Sequence, residues 1–279
     1  VMAAAVLGAL LGAGRIREFV GISPVGAVFA HAHLAGIGWA LMMVVGLAYR
    51  LLPMILPAKP PTARGLAASG LLIETGLAAA VTSLLVGGWW LPIGGLLIAV
   101  GLVSFVRKVR RVVVQRLPRP PALPARDWSA WQVHAALLWL AVATTLGLLL
   151  TILPAGSTQV TIAWVYGVAG LVGGLSQVVV GMQGRLVAMY AYYRAMAARG
   201  GRPPERSADS LVSAPFARAI CIAWTCGVPW LAWGLAVQHT ASVRAASLVL
   251  ATGVIASALY LRHVVRSAHE GKPQLRSPV

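Results

Sequence analysis

Charge is the scarcest property of this chain. Asp, Glu, Lys and Arg make up 10% of its 279 residues, and only six of them are acidic, where soluble domains carry about 25% charged residues. A water-soluble domain has too little polar surface to form from such a sequence. Cysteine is almost missing as well. The two present, Cys221 and Cys226 in CIAWTC, stand five apart on one predicted helix, too far for a disulfide without breaking it. A zinc site of four cysteines is excluded by number, and the pair reads as small apolar packing residues.

What fills the space is apolar: 59% of the residues are hydrophobic. Apolar runs, all but the first long enough to cross a hydrocarbon core of about 30 Å, lie at roughly 1–13, 25–53, 65–88, 90–106, 128–153, 160–190, 214–237 and 243–264. The pattern predicts an all-α integral membrane protein of about eight transmembrane helices. The first run opens at Val1 and Met2 without a basic flank and is short for a span. It predicts a native start upstream of Val1 rather than a cleaved signal peptide, which needs a basic n-region.

The net charge of +17 has the size of a nucleic-acid-binding balance but not its distribution. Twenty of the 23 basic residues fall on one side of the predicted spans, seven of them in RKVRRVVVQRLPRPPALPAR (Arg107 to Arg126), and only Arg15, Arg17 and Arg244 on the other. Cytoplasmic loops carry such an excess. The distribution therefore predicts a bacterial-type inner membrane protein with a cytoplasmic C-terminus, basic loops that meet anionic lipid, and no nucleic-acid partner.

An internal echo runs along the chain. Sliding residues 30–54 by 135 positions onto 165–189 gives seven identities in 25, among them Gly38 with Gly173, Gly46 with Gly181, and Arg50-Leu51 with Arg185-Leu186. Both segments run the same way across the membrane, which predicts two parallel four-helix repeats. The expected domains are a first membrane half at 1–106, a basic Pro-rich cytoplasmic linker at 107–127, a second half at 128–264 and a basic tail at 265–279.

AHAHLAGIGWALMMVVGLAYRLLPM (30–54) places two histidines in a stretch otherwise fit for lipid. Ionisable residues there line cavities, relay protons or bind ligands. At 100° per residue, His31 shares a face with Ala35, Gly38, Met42 and Tyr49, while His33 lies about 200° round. On the His31 face, the missing side chains predict a slot for a flat macrocycle. Haem iron accepts neutral imidazole as an axial ligand. The alternative is close helix packing, each histidine bonding to a neighbour. His134 and His263 both fall at cytoplasmic helix ends and form a second, inner candidate pair. His239 and His269 read as loop or tail residues. Glu74 is expected to be protonated, paired or part of a proton path. Trp89, Trp90, Trp128, Trp131, Trp230 and Trp233 fit interfacial belts.

The succession HAHL, then GW three residues on, then G-x-x-Y-R-L-x-P at the helix end resembles the short subunit-I-like membrane proteins related to haem–copper oxidases, which include nitric-oxide-response haem proteins. VYGVAGLVGGLSQVVVGMQGRL (165–186) is similar to a second helix of that group. The resemblance implies haem b with His31 or His33 as iron ligand on the outer side. It also implies what is missing: the group's oxidases need an adjacent His-His pair for copper, and no HH occurs here. Ala188 stands at the family's proline and Tyr166 where His31 aligns. The expectation is a haem b electron-transfer subunit without an oxygen-reduction site. Its partners would be other membrane subunits and a quinone or periplasmic cytochrome. Two rivals are a cofactor-free structural or assembly subunit, and a metal-handling or transport protein using His31, His33, Met42 and Met43 as soft ligands.

Overall fold

The computed structural model describes residues 1–14, 22–55, 58–59, 62–117, 128–204 and 207–269. Among them every regular element is helical. Arg15, Arg17, most of the Pro-rich end of the expected linker (118–127) and the last ten residues of the expected tail lie outside the described residues.

Seven helical stretches among the described residues are long and apolar enough to cross a membrane. The first run forms instead the 11-residue helix α1, Met2–Gly12, which at 1.5 Å per residue cannot reach across about 30 Å. The eight expected runs are thus seven candidate spans and one short apolar helix. The first span joins α2 (Pro24–His33), a π-helical stretch (Leu34–Leu41) and α3 (Met42–Ile55). Ser23 caps it, its hydroxyl accepting from the Gly26 N–H at 3.2 Å, with Pro24 at the first helical position, where its missing N–H costs nothing. The remaining elements are α4 (Ala63–Val86), α5 (Trp90–Val114), α6 (Trp128–Leu150), α7 (Ser157–Gly167), a second π stretch (Val168–Ser176), α8 (Gln177–Ala198), a 3₁₀ turn (Ala208–Leu211), α9 (Ala214–Ala236) and α10 (Thr240–His269).

The two π stretches fall at matching places. Moving Leu34–Leu41 by the sequence offset of 135 gives 169–176, against an observed Val168–Ser176, and both give way to α-helix at the same shifted position, Met42 and Gln177. Wide turns of this kind are rare and often mark functional sites.

The chain divides into two compact units, one of Val1–Arg119 with Thr144–Ala163, the other of Pro120–Ala143 with Trp164–Val279. The division runs through α6 and α7 as well as through the basic linker.

In the first unit α4 and α5 form a glycine-seamed hairpin. A side chain on Gly76 would begin 2.6 Å from the Gly94 carbonyl oxygen, and one on Gly94 would begin 2.7 Å from the Ala80 amide nitrogen, so only glycine lets the backbones approach this closely. The turn uses Gly87 (φ 80°) and Gly88 (φ 125°), a conformation L side chains resist. Trp89 stacks on Trp90 beside it, ring centroids 3.9 Å apart. The Tyr49 hydroxyl of α3 hydrogen-bonds the Ser69 hydroxyl at 2.9 Å and its ring meets that of Phe105 edge-on at 5.3 Å, which ties α3 to both helices of the hairpin.

In the second unit α9 and α10 pack antiparallel through Gly227 on Leu250, Gly234 on Val243 and Gly253 on Trp224. Gly184 of α8 lies against the Tyr260 ring. Tyr260 accepts from the Ser213 N–H at 3.1 Å and stacks on Phe216. Ile220, Trp224, Val228, Leu250, Tyr260 and Val264 form the buried centre. Cys221 is buried, as a packing role expects, whereas Cys226 is exposed; both are free thiols.

Candidate functional site

The two core histidines occupy the last turn of α2, just before the first π stretch. Nδ1 of His31 lies 3.0 Å from the Ala4 carbonyl oxygen of α1, and Nδ1 of His33 lies 2.7 Å from the Phe29 carbonyl oxygen one turn back. A carbonyl only accepts, so each bond fixes the proton on Nδ1 and leaves the lone pair on Nε2. Metal-bound histidines are commonly oriented by this kind of backbone bond.

The surroundings of the two rings differ. Gly8 of α1 faces His31 directly: a Cβ there would sit 2.7 Å from Cε1 and 3.1 Å from Nδ1. The His31 ring is therefore the seat on which α1 rests, beside the small cluster of Leu7, Ala27 and Ala30. Among the described residues no glycine faces His33. It is half-buried, with Nδ1 on the Phe29 carbonyl of its own helix.

The slot expected beside His31 is closed in this structure. A Cβ on Gly38 would lie 2.7 Å from Leu77 Cδ2, so α4 fills the space that the missing side chain leaves. Met42 likewise turns to α4, its Cε 3.5 Å from where a Gly70 side chain would start, and Met43 is 53% exposed. A face projected at 100° per residue does not carry through Leu34–Leu41, whose i→i+5 pattern turns less per residue. Positions beyond His33 are rotated relative to those before it. Nothing in the sequence specified Ala4, Gly8 or Leu77 as the neighbours.

At the matching place in the second segment stand Tyr166 in α7 and the buried Val168. The polar signal here is amide. Gln177, the first residue of α8, is wholly buried, and neither Oε1 nor Nε2 has a hydrogen-bond partner; Gln132 Nε2 on α6 and Trp224 Nε1 on α9 are also buried and unpaired. Gly181, one turn beyond Gln177, packs on Gln132. The Gly184–Tyr260 contact sets α8 beside α10, and Trp224 Nε1 rests on Gly253 of α10. A buried unpaired polar group costs about 1–3 kcal/mol. Replacing Gln177 with methionine, the residue at the offset position 42, is accordingly expected to raise the thermal unfolding midpoint in detergent. A lowered midpoint would show that the amide is engaged in the membrane-embedded protein.

The inner pair is exposed at both members. His134 Nδ1 lies 2.7 Å from the Ala130 carbonyl oxygen and His263 Nε2 lies 3.5 Å from Ser267 Oγ, each within its own helix. His239, expected in a loop, caps α10: its Nδ1 accepts from the Ser242 N–H at 3.3 Å. Among the described residues no three His, Cys, Asp or Glu side chains gather. The chain matches no protein-family model, no curated protein and no solved structure.

Proposed function

We propose that the chain is a b-type haem-binding subunit of a respiratory-type membrane assembly, carrying electrons between a quinone or periplasmic cytochrome and another membrane subunit. The observation that supports it most is the pair of span-embedded imidazoles, both protonated at Nδ1 by a backbone bond, immediately before a π stretch. The residues fit a single protein-derived axial ligand. His33 is favoured over His31, whose ring is taken up by α1. The second ligand would come from a neighbouring helix, a methionine or another chain. Haem, when bound, supplies one-electron transfer at its iron. The chain's part would be to hold and orient the imidazole by the Phe29 carbonyl. A Soret band and a reduced-minus-oxidised difference spectrum of the purified wild type are the test. An oxygen-reducing copper site is not part of the reading.

A cofactor-free structural or assembly subunit is the second reading. The closed Gly38 space and the packing of His31 on Gly8 favour it.

The repeat belongs to the same proposal: the matched π stretches support two parallel halves, and a cytoplasmic C-terminus in a bacterial-type inner membrane follows from the basic loops. Leu117 is 65% exposed after α5, and nothing lies within 4 Å of where a Gly156 side chain would begin, so cysteine fits at either place. In intact cells an impermeant thiol reagent is expected to label Gly156→Cys and to leave Leu117→Cys unlabelled. The opposite pattern would invert the topology.

A further inference from the structure

Five of the six acidic residues, Glu18, Asp127, Glu205, Asp209 and Glu270, lie outside the candidate spans; the sixth, Glu74, lies in the middle of one. It is the twelfth of the 24 residues of Ala63–Val86, about 17 Å from either end at 1.5 Å per residue, and so near the bilayer midplane. Its direction is the unexpected feature. Ser69, Ile73, Gly76, Leu77 and Ala80 are the buried side of α4, while Leu71, Glu74, Thr75, Ala78 and Thr82 form an exposed stripe on the opposite side. Thr75 spends its hydroxyl on the Leu71 carbonyl at 2.7 Å, whereas Glu74 has no hydrogen-bond or ion-pair partner among the described residues. Intramembrane carboxylates almost always face a protein interior or a water-filled cavity. Hydrocarbon cannot solvate this one, and the small residues around it let another helix approach closely.

We propose that this outer face of α4 docks a transmembrane helix of a different subunit, which presents a cationic side chain (Arg, Lys or His) to Glu74 at mid-membrane depth. Charge complementarity selects the occupant. A two-fold pairing of this face with a second copy would bring two carboxylates together at one depth, which like-charge repulsion disfavours. The inference deepens the reading of the chain as one subunit of an assembly. Its readout does not involve haem, so it and the haem assignment fail separately.

The test uses the full chain in its native membrane. A photo-crosslinking residue at Leu71 or at Ala78 is expected to give one discrete adduct, and the same residue at Val103, 49% exposed on α5, is the control. Peptide mapping should place the adduct in a transmembrane segment carrying Arg, Lys or His at the crosslinked depth. Glu74→Gln keeps the shape and makes the helix more apolar, so insertion should survive. It is expected to lower co-purification of the mapped partner at least about tenfold, the usual consequence of breaking a buried charge pair. Reversal of both charges, Glu74→Lys with the partner cation changed to Glu, should restore it. The proposal is overturned by an adduct with a second copy, with lipid alone or within the chain, by a mapped segment without a cation, or by unchanged co-purification of Glu74→Gln.

Discussion

His33→Ala is expected to abolish the Soret band and the reduced-minus-oxidised difference spectrum of the purified protein, while the chain still inserts and is recovered as a folded species. Loss of an axial imidazole removes the iron's protein anchor, and one fewer polar group makes the first span more apolar, so insertion has no reason to fail. His31→Ala should behave differently. It removes the ring on which Gly8 of α1 rests and the 3.0 Å contact from Nδ1 to Ala4. It is expected to loosen α1 and to lower the thermal midpoint, with haem content per folded molecule retained. Measuring both variants side by side separates the roles. If both keep full wild-type haem content, or if the wild type binds none, the packing reading takes the place of the haem reading. If only His31→Ala loses the spectrum, the ligand is the ring that holds α1, and α1 would be part of the cofactor site.

Gly94→Val should be among the most damaging single substitutions in the first unit. Its Cβ would lie 2.7 Å from both the Ala80 amide nitrogen and the Gly76 carbonyl oxygen, and backbone inside two helices has no rotamer to change. Overpacking against side chains costs about 1–3 kcal/mol and occasionally more; against fixed backbone the upper end is expected, about 3 kcal/mol or above, seen as loss of the monodisperse species on size exclusion and a sharply lower thermal midpoint. Gly26→Val should act alike, since its Cβ would run into the Leu84 carbonyl oxygen, separating α2 and its histidines from α4. Gly46→Ala is the control: nothing lies within 4 Å of that position, and alanine is the better helix former. A Gly94→Val protein with wild-type stability would mean that the two helices stand further apart than this packing requires.

The amino-acid sequence alone was enough for the class of the molecule. Runs of Leu, Ala, Val and Gly uninterrupted over a bilayer's thickness can satisfy their backbone groups only as helices in lipid, and seven of the eight expected runs are candidate spans. It also exposed the offset of 135, because the repeated pattern Val-Val-Gly with Arg-Leu four residues on is written in local order. The imidazoles were visible for the same reason: a titratable side chain in an apolar run stands out without any structure. Only the tertiary structure decided what surrounds them. That Gly8 lies against His31, that Leu77 fills the space at Gly38, and that Gln177, Gln132 and Trp224 are buried without partners depend on residues that sequence separates by tens of positions. The turn of the helix itself was decided there too. A face projected at 100° per residue holds only while i→i+4 bonding continues, and the π stretches at Leu34–Leu41 and Val168–Ser176 interrupt it. The outward direction of Glu74 has the same origin: composition places a carboxylate at mid-span, but which side of α4 meets α5 is set by the Gly76–Gly94 contact, and that contact leaves Glu74 on the far side.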